Sequence, residues 1–141
     1  MKQVLITSIA VIVCAPFANA TPTQGLSFSL LGDLEGGSFY SGATAISGDG
    51  TTVVGQSSSA NGFEAFIWRA GTGMVGIGDL PTGEFSSYAS GVSHDGSVVV
   101  GISRVLDGQF SAGRAFRWTT ETGMVELGTV SGTEGAFSNA H

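Results

Sequence analysis

Three groups of residues in this chain have types and spacings that could do chemistry. Ser93-His94-Asp95 sets the hydroxyl, imidazole and carboxylate of a nucleophilic relay side by side. Asp49 and Asp95 each precede a glycine in the same S-x-D-G setting, so their carboxylates are candidate cation ligands. Trp68 and Trp118 close matching A-F-x-W runs and could offer flat faces to sugar rings. Each group has a structural reading that competes. A relay needs its three groups to converge, whereas neighbours along a strand point to opposite faces. His94 is also replaced by Gly48 where the stretch first occurs, which reads as a free turn position. Calcium takes roughly six to eight oxygens, and each Asp-Gly turn supplies one carboxylate. No EF-hand loop, glycine-aspartate nonapeptide, G-x-S-x-G or G-x-x-x-x-G-K is present. The two tryptophans hold the same strand position in each copy, which favours core over platform. His141 is terminal and has no surrounding pattern. No catalytic, cofactor-binding or metal-ligating residue is therefore assigned.

The elements that must position these residues come from a repeat. Ser41 to Gly55 returns as Ser87 to Gly101, with the shared pattern S-x-A-x-x-[IV]-S-x-D-G-[ST]-x-V-V-G. Ser138-Asn-Ala140 begins it again. Asp49 and Asp95 are 46 residues apart and Trp68 and Trp118 are 50 apart, so four extra residues fall within Arg104–Gly113. That segment reads as a loop carried on the repeat, the favoured place for a variable binding surface. Residues 31–76 form the first repeat, 77–126 the second and 127–141 an unfinished third.

Inside each repeat the local code is β. Ala43–Ser47 and Thr51–Gly55 flank Gly48-Asp49-Gly50, and Asp-Gly between apolar runs predicts a type I′ hairpin with φ > 0 at both central residues. A third run, Glu64–Trp68, puts Phe66 and Trp68 on one face, and Arg114–Trp118 keeps that face while placing Arg117 on the other. A fourth run, Met74–Gly78, follows Gly71-Thr-Gly73 and matches Met124–Gly128. Four short strands per repeat, without 3.6-residue periodicity, predict an all-β fold of tandem four-stranded antiparallel blades, a partial β-propeller. Phe39, Phe85 and Phe137 precede S-x-A in each copy and are read as blade packing. Each buried ring removes roughly 150–250 Å² from water, up to about 4–6 kcal/mol at about 25 cal/mol per Å². Propellers close with typically about 4–8 blades. Ending in mid-motif at Ala140-His141, the chain predicts a longer protein whose uncovered blade edges self-associate.

The N-terminus carries a different signal. Lys2, the apolar run Val4–Val13 and Ala18-Asn19-Ala20 form a secretory signal, with Thr21 as the mature start. The run is shorter than the about 20 apolar residues that span a bilayer. Residues 21–30 then read as a leader or first edge strand. The one cysteine, Cys14, lies inside the signal, so neither disulfides nor thiolate metal sites support the mature chain. Removing residues 1–20 leaves four arginines against eleven Asp and Glu. Such an acidic chain excludes nucleic acid and anionic membrane surfaces as ordinary partners. Its 23 glycines with few charges fit short strands and tight turns.

Taken together, L-G-x-L, S-x-A-x-x-[IV]-S-x-D-G-x-x-V-V-G, A-F-x-W and G-M-x-x-[IL]-G resemble the bacterial extracellular repeats of the HAF family. The family's His-Ala-Phe tripeptide here reads Glu64-Ala65-Phe66 and Arg114-Ala115-Phe116, without the histidine. The resemblance runs from Leu31 to the end and implies an exported, propeller-like β array, akin in longer members to autotransporter passengers. It transfers no catalytic residue. The expected function is a secreted or cell-surface, non-enzymatic module for structure, adhesion or binding of a protein or glycan, without a cofactor. The alternative is part of a secreted propeller-type carbohydrate-active enzyme. That alternative needs carboxylates on equivalent loops, and Glu35, Glu84 and Asp107 do not fall into such a set.

Overall fold

The glycines that punctuate the repeat decide where its strands turn. In the computed structural model, which describes residues 28–81, 85–107 and 110–128, Gly50 and Gly96 lie at φ 73° and 69°, and Gly73 and Gly123 at 73° and 66°. These are left-handed values that glycine adopts without a Cβ penalty. Between them the chain forms eight strands and, among the described residues, no helix. The first sheet contains β1 (Gly36–Ile46), β2 (Thr52–Ser59), β3 (Gly62–Arg69) and β4 (Gly73–Gly76). The second contains β5 (Ser87–Val92), β6 (Val99–Asp107), β7 (Phe110–Thr119) and β8 (Gly123–Glu126). Both are antiparallel meanders in sequence order. The chain is thus all-β, one four-stranded sheet per repeat, and the two sheets do not close on each other. The signal at 1–20, residues 21–27 of the leader, residues 129–141 of the third repeat, and Glu84, Phe137 and His141 lie outside the described residues.

Two local expectations are corrected. The Asp-Gly turn is not type I′. Ser47 O accepts from Gly50 N at 2.9 Å and Ser93 O from Gly96 N at 3.1 Å, so the central residues are Gly48-Asp49 and His94-Asp95. Gly48 is not among the positive-φ glycines, whereas type I′ requires φ > 0 at both centres. The glycine after the aspartate supplies the left-handed step instead. The second correction concerns Arg104–Gly113, which is not a loop. Arg104 pairs with Gly113, Val105 with Ala112, Leu106 with Ser111 and Asp107 with Phe110. The extra residues lengthen β6 and β7 into a β-ribbon, because a meander absorbs an insertion by adding rungs when pairing can continue.

The same framework bonds recur in both sheets. Ser41 Oγ donates to Gly32 O at 2.7 Å, and Ser87 Oγ to Gly78 O at 2.6 Å. Leu34 N and Leu80 N donate to Ser57 Oγ and Ser103 Oγ at 3.0 and 3.3 Å. The L-G-x-L segment is therefore strapped across β1 and β2, or β5 and β6, by two serines. A β-bulge falls between Ala43 and Ala45 and again between Ala89 and Gly91. Gly55 and Gly101 end the V-V-G runs because the bulged neighbour crosses there: a Cβ would collide with Gly42 O or Tyr88 O.

The core lies between the sheets. Val54, Ala65 and Ile67 of the first repeat pack with Ile77, Ala89, Val99 and Phe116 of the second, flanked by Trp118 and Met124. The Phe/Trp face of the second sheet thus rests on the Ala65/Ile67 face of the first. Ile67 is buried for that reason, while its counterpart Arg117 on the far face of the second sheet is exposed. Ser87, 1% exposed, fastens the two. Its hydroxyl accepts from Ala65 N of the first sheet at 2.9 Å while donating to Gly78 O. Replacing Ser87 by alanine strands a buried N–H and carbonyl, which costs roughly 1–3 kcal/mol for each group left unpaired. We expect Ser87→Ala to lower the urea midpoint by more than Ser41→Ala, whose hydroxyl bond is exposed; equal effects would contradict the fastening role.

Candidate functional site

Asp49 and the Ser93-His94-Asp95 run lie at one end of the sheets, in the β1–β2 and β5–β6 turns, whereas Trp68 and Trp118 lie within β3 and β7. Asp49 Oδ1 accepts from Ser47 Oγ at 2.6 Å, Thr51 N at 3.0 Å and Thr51 Oγ1 at 2.8 Å. Asp95 Oδ1 repeats this with Ser93 Oγ at 2.6 Å, Ser97 N at 3.1 Å and Ser97 Oγ at 2.8 Å. The serine hydroxyl in turn accepts from the backbone, from Thr52 N at 2.9 Å and from Val98 N at 3.0 Å. Each turn is knitted by its own aspartate and serine. The aspartate serves through its carboxylate, a role distinct from the backbone preference that an Asp-Gly pair implies.

Ser93, His94 and Asp95 do not make a relay, although the reason differs from strand alternation. All three sit in a turn, and Ser93 and Asp95 do meet. His94 turns away toward the first repeat, where a Cβ on Gly48 would fall onto its imidazole. His94 O also accepts from Asp49 N at 3.0 Å. Position 48/94 is therefore not a free turn position: glycine in the first copy makes room for histidine in the second. Nearby, Arg69 reaches across the repeat boundary, Nη2 donating to Gly96 O at 2.7 Å and Nε to Thr52 Oγ1 at 3.2 Å.

Beside the second turn lies an open cleft of about 430 Å³ lined by Arg69, Asp95, Ser97, Arg117, Thr119 and Glu121, among others. It collects two arginines and two carboxylates in a chain with few charges. Sequence reasoning missed it, because Arg69 and Arg117 are not equivalent in the repeat and meet only through the offset between sheets. Among the described residues, no group of three or more His, Cys, Asp or Glu could hold a metal ion. Asp79, which no motif marked, anchors the segment joining the sheets: it accepts from Leu80 N and Ser86 N, each at 2.9 Å, and from Ser103 Oγ. Glu35 is exposed and Asp107 closes the β-ribbon, far apart in the topology.

Trp68 lies between Val53 and Met74 across β2 and β4, and Trp118 between Val99 and Met124 across β6 and β8. Both are half-buried, and Trp118 packs on the core. Tyr40, Phe63 and Tyr88 are exposed instead, and so is Phe39, at 65%, contrary to its reading as packing within the repeat. No protein-family model, curated protein or solved structure matches the chain.

The turns carry a pH signature. The Ser47 hydroxyl, with Thr51, holds the Asp49 carboxyl below its ordinary value of 3.8, and His94 adds to this. The Ser93 hydroxyl, with Ser97, holds Asp95 further below. A carboxylate whose pKa is depressed by folding contributes stability that is present above the unfolded value and lost as pH falls through the folded one. The wild-type thermal midpoint should therefore decline as pH drops below about 4. Asp49→Ala/Asp95→Ala should start lower at neutral pH and decline less steeply; parallel profiles would show that these carboxylates do not carry the acid sensitivity.

Proposed function

We propose that the chain is an exported, non-enzymatic β-repeat module, each four-stranded sheet being one blade-like unit of a propeller-type array, as its HAF-like motifs imply. The observation that carries this reading is the fate of the chemistry-bearing side chains. The serines, threonines and aspartates of the repeated motif bond to the same partners in both sheets, and those partners are backbone and neighbouring turn residues. A hydroxyl that already donates to a carbonyl and a carboxylate oxygen that accepts three bonds are poorly placed to act as nucleophile or base. Residues 1–20 act as the secretory signal, which puts the module outside the cytoplasm as a surface, adhesive or ligand-binding element. Self-association fits the short edge strands, since Val75 on β4 and Val125 on β8 are both exposed.

The carbohydrate-active alternative draws on one observation, the cleft that brings Asp95 and Glu121 beside Arg69 and Arg117. Glycoside hydrolysis uses a pair of carboxyl groups, one of them protonated. Asp95 is unsuited to the protonated role, because its bonds to Ser93 and Ser97 keep it ionised.

Expression of the entire chain in a secreting bacterial host tests both parts of the proposal. The secreted material should begin at Thr21 by N-terminal sequencing and release no product from a panel of polysaccharides and aryl glycosides. Retention of Met1 in the cytoplasm would refute export, and turnover abolished by Asp95→Asn or Glu121→Gln would establish the enzymatic alternative.

A further inference from the structure

A second unexplained feature lies at the opposite end from the turns, beyond the first residue of β5. Ser58 pairs with Phe63, and Tyr40 precedes Ser41, whose partner on β2 is Ser57. Ser58 and Phe63 share the face that carries Gln56 and Ala65, and the Tyr40 ring on β1 meets the Phe63 ring there. Further along this face β5 lies over the sheet: Gln56 Nε2 donates to Ser87 O at 3.0 Å and Thr44 Oγ1 to Ala89 O at 2.6 Å. Among the described residues, β5 begins at Ser87, and the bridge between Ser86 and Phe63 joins this segment to the aromatic pair. The two rings are left at the rim, each 48% exposed and edge-to-face at 5.7 Å. Ser38 and Ser58 hydroxyls bond beside them at 3.1 Å.

Next to this shelf is a groove of about 260 Å³ lined by Gln56, Ser86, Ser87, Tyr88, Ile102 and Arg104. Its polar groups come from both repeats, Gln56 from the first and Tyr88 and Arg104 from the second. Tyr88 and Arg104 are exposed. The combination is an apolar ring surface flanked by hydroxyls, a phenol, an amide and a guanidinium fork with five donors.

We propose that the Tyr40–Phe63 shelf and the adjoining groove form a binding site for a neutral saccharide. A sugar ring has an apolar C–H face and a rim of hydroxyls, which matches an aromatic shelf beside convergent donors and acceptors. The groove is of the size of one ring, below the roughly 300–1,000 Å³ of drug-sized pockets. A formal net charge of −6 disfavours an acidic glycan at long range. The hydroxyl-rich surround disfavours a protein partner, whose interface cores are enriched in aromatic and depleted in serine residues. The inference rests on the reading of the chain as an extracellular, non-catalytic module, and it names the ligand class for that module.

The test is an array of neutral cello-, xylo-, manno- and malto-oligosaccharides probed with the secreted full chain, followed by calorimetric titration of the hits. At least one neutral series should bind. Phe63→Ala and Arg104→Ala should each weaken it about tenfold or more with unchanged thermal midpoints, and Val125→Ser, on the distant edge strand, should leave it unchanged. Arg104 is exposed, so its variant keeps the test open if Phe63→Ala is unstable. Absence of neutral-glycan binding, hits confined to acidic glycans, or binding insensitive to both variants overturns the site while leaving the non-catalytic module standing. Chromatographic release of shorter oligosaccharides by wild-type protein, with binding still lost in the variants, would instead overturn the module reading and keep the site.

Discussion

One buried hydroxyl sets the relation between the two repeats. Ser87 has a single proton to donate, which goes to Gly78 O of the connecting segment, and a lone pair that receives Ala65 N of the facing sheet. The chain path into the second sheet and the face it lands on are fixed by the same atom. Thr44 and Gln56 repeat the tactic with side-chain donors to Ala89 O and Ser87 O. These bonds engage the outward-facing backbone of β5, the second sheet's first strand, which would otherwise be an unpaired edge. Covering such an edge is one of the ways β proteins avoid indiscriminate pairing. Phe116 and Trp118 then supply the apolar area, but an apolar face alone would tolerate sliding; the directional bonds set the register.

Around this fixed contact the two copies differ in compensated pairs. Gly48 faces His94 across the boundary, and a side chain at position 48 would have to displace the imidazole. Glu64 accepts from Gly78 N at 3.0 Å, and a Cβ on Gly76, the partner of Phe66, would push that carboxylate aside. In the second sheet the same two positions hold Arg114 and Glu126, whose side chains approach at 3.8 Å. The acid lies on β3 in the first sheet, where it meets a backbone N–H, and on β8 in the second, where it meets a guanidinium. Ile67 and Arg117 differ for a plainer reason, since one meets a neighbouring sheet and the other lies exposed.

Periodicity and turn chemistry were enough to place eight strands, because each is bounded by a glycine or Asp-Gly step and each carries a repeated apolar pattern. Strand lengths were not legible. β1 begins at Gly36, seven residues before the apolar run that marked it, since its outer half is held by serine bonds to Ser58 rather than by apolar burial. The same blindness turned the Arg104–Gly113 insertion into a loop on paper, although Val105 is buried and its rungs are paired. Among site residues, Asp49 and Asp95 were visible because they recur. Arg69 and Gln56 were not, because each occurs once and matters only where the two sheets meet; Arg104 was singled out only as one end of the insertion read as a loop.

That asymmetry bears on where function can reside in such an architecture. A position identical in both copies is constrained by the framework, and here those positions are saturated with framework bonds. Free binding capacity is found where the copies diverge: Gly42 against Tyr88, Gln56 against Ile102, Ser58 against Arg104, Ile67 against Arg117. These pairs lie on one face, the face that a following sheet covers in the first repeat. Selection for stacking and selection for binding therefore act on the same surface, and they are compatible only at its ends, beyond the reach of the covering strand. The aromatic pair at one rim and the charged cleft at the other occupy those two ends. The aromatic pair belongs to the first sheet alone, whereas the groove beside it and the charged cleft draw residues from both repeats. A sheet that failed to dock would break up the groove and the cleft together with the core.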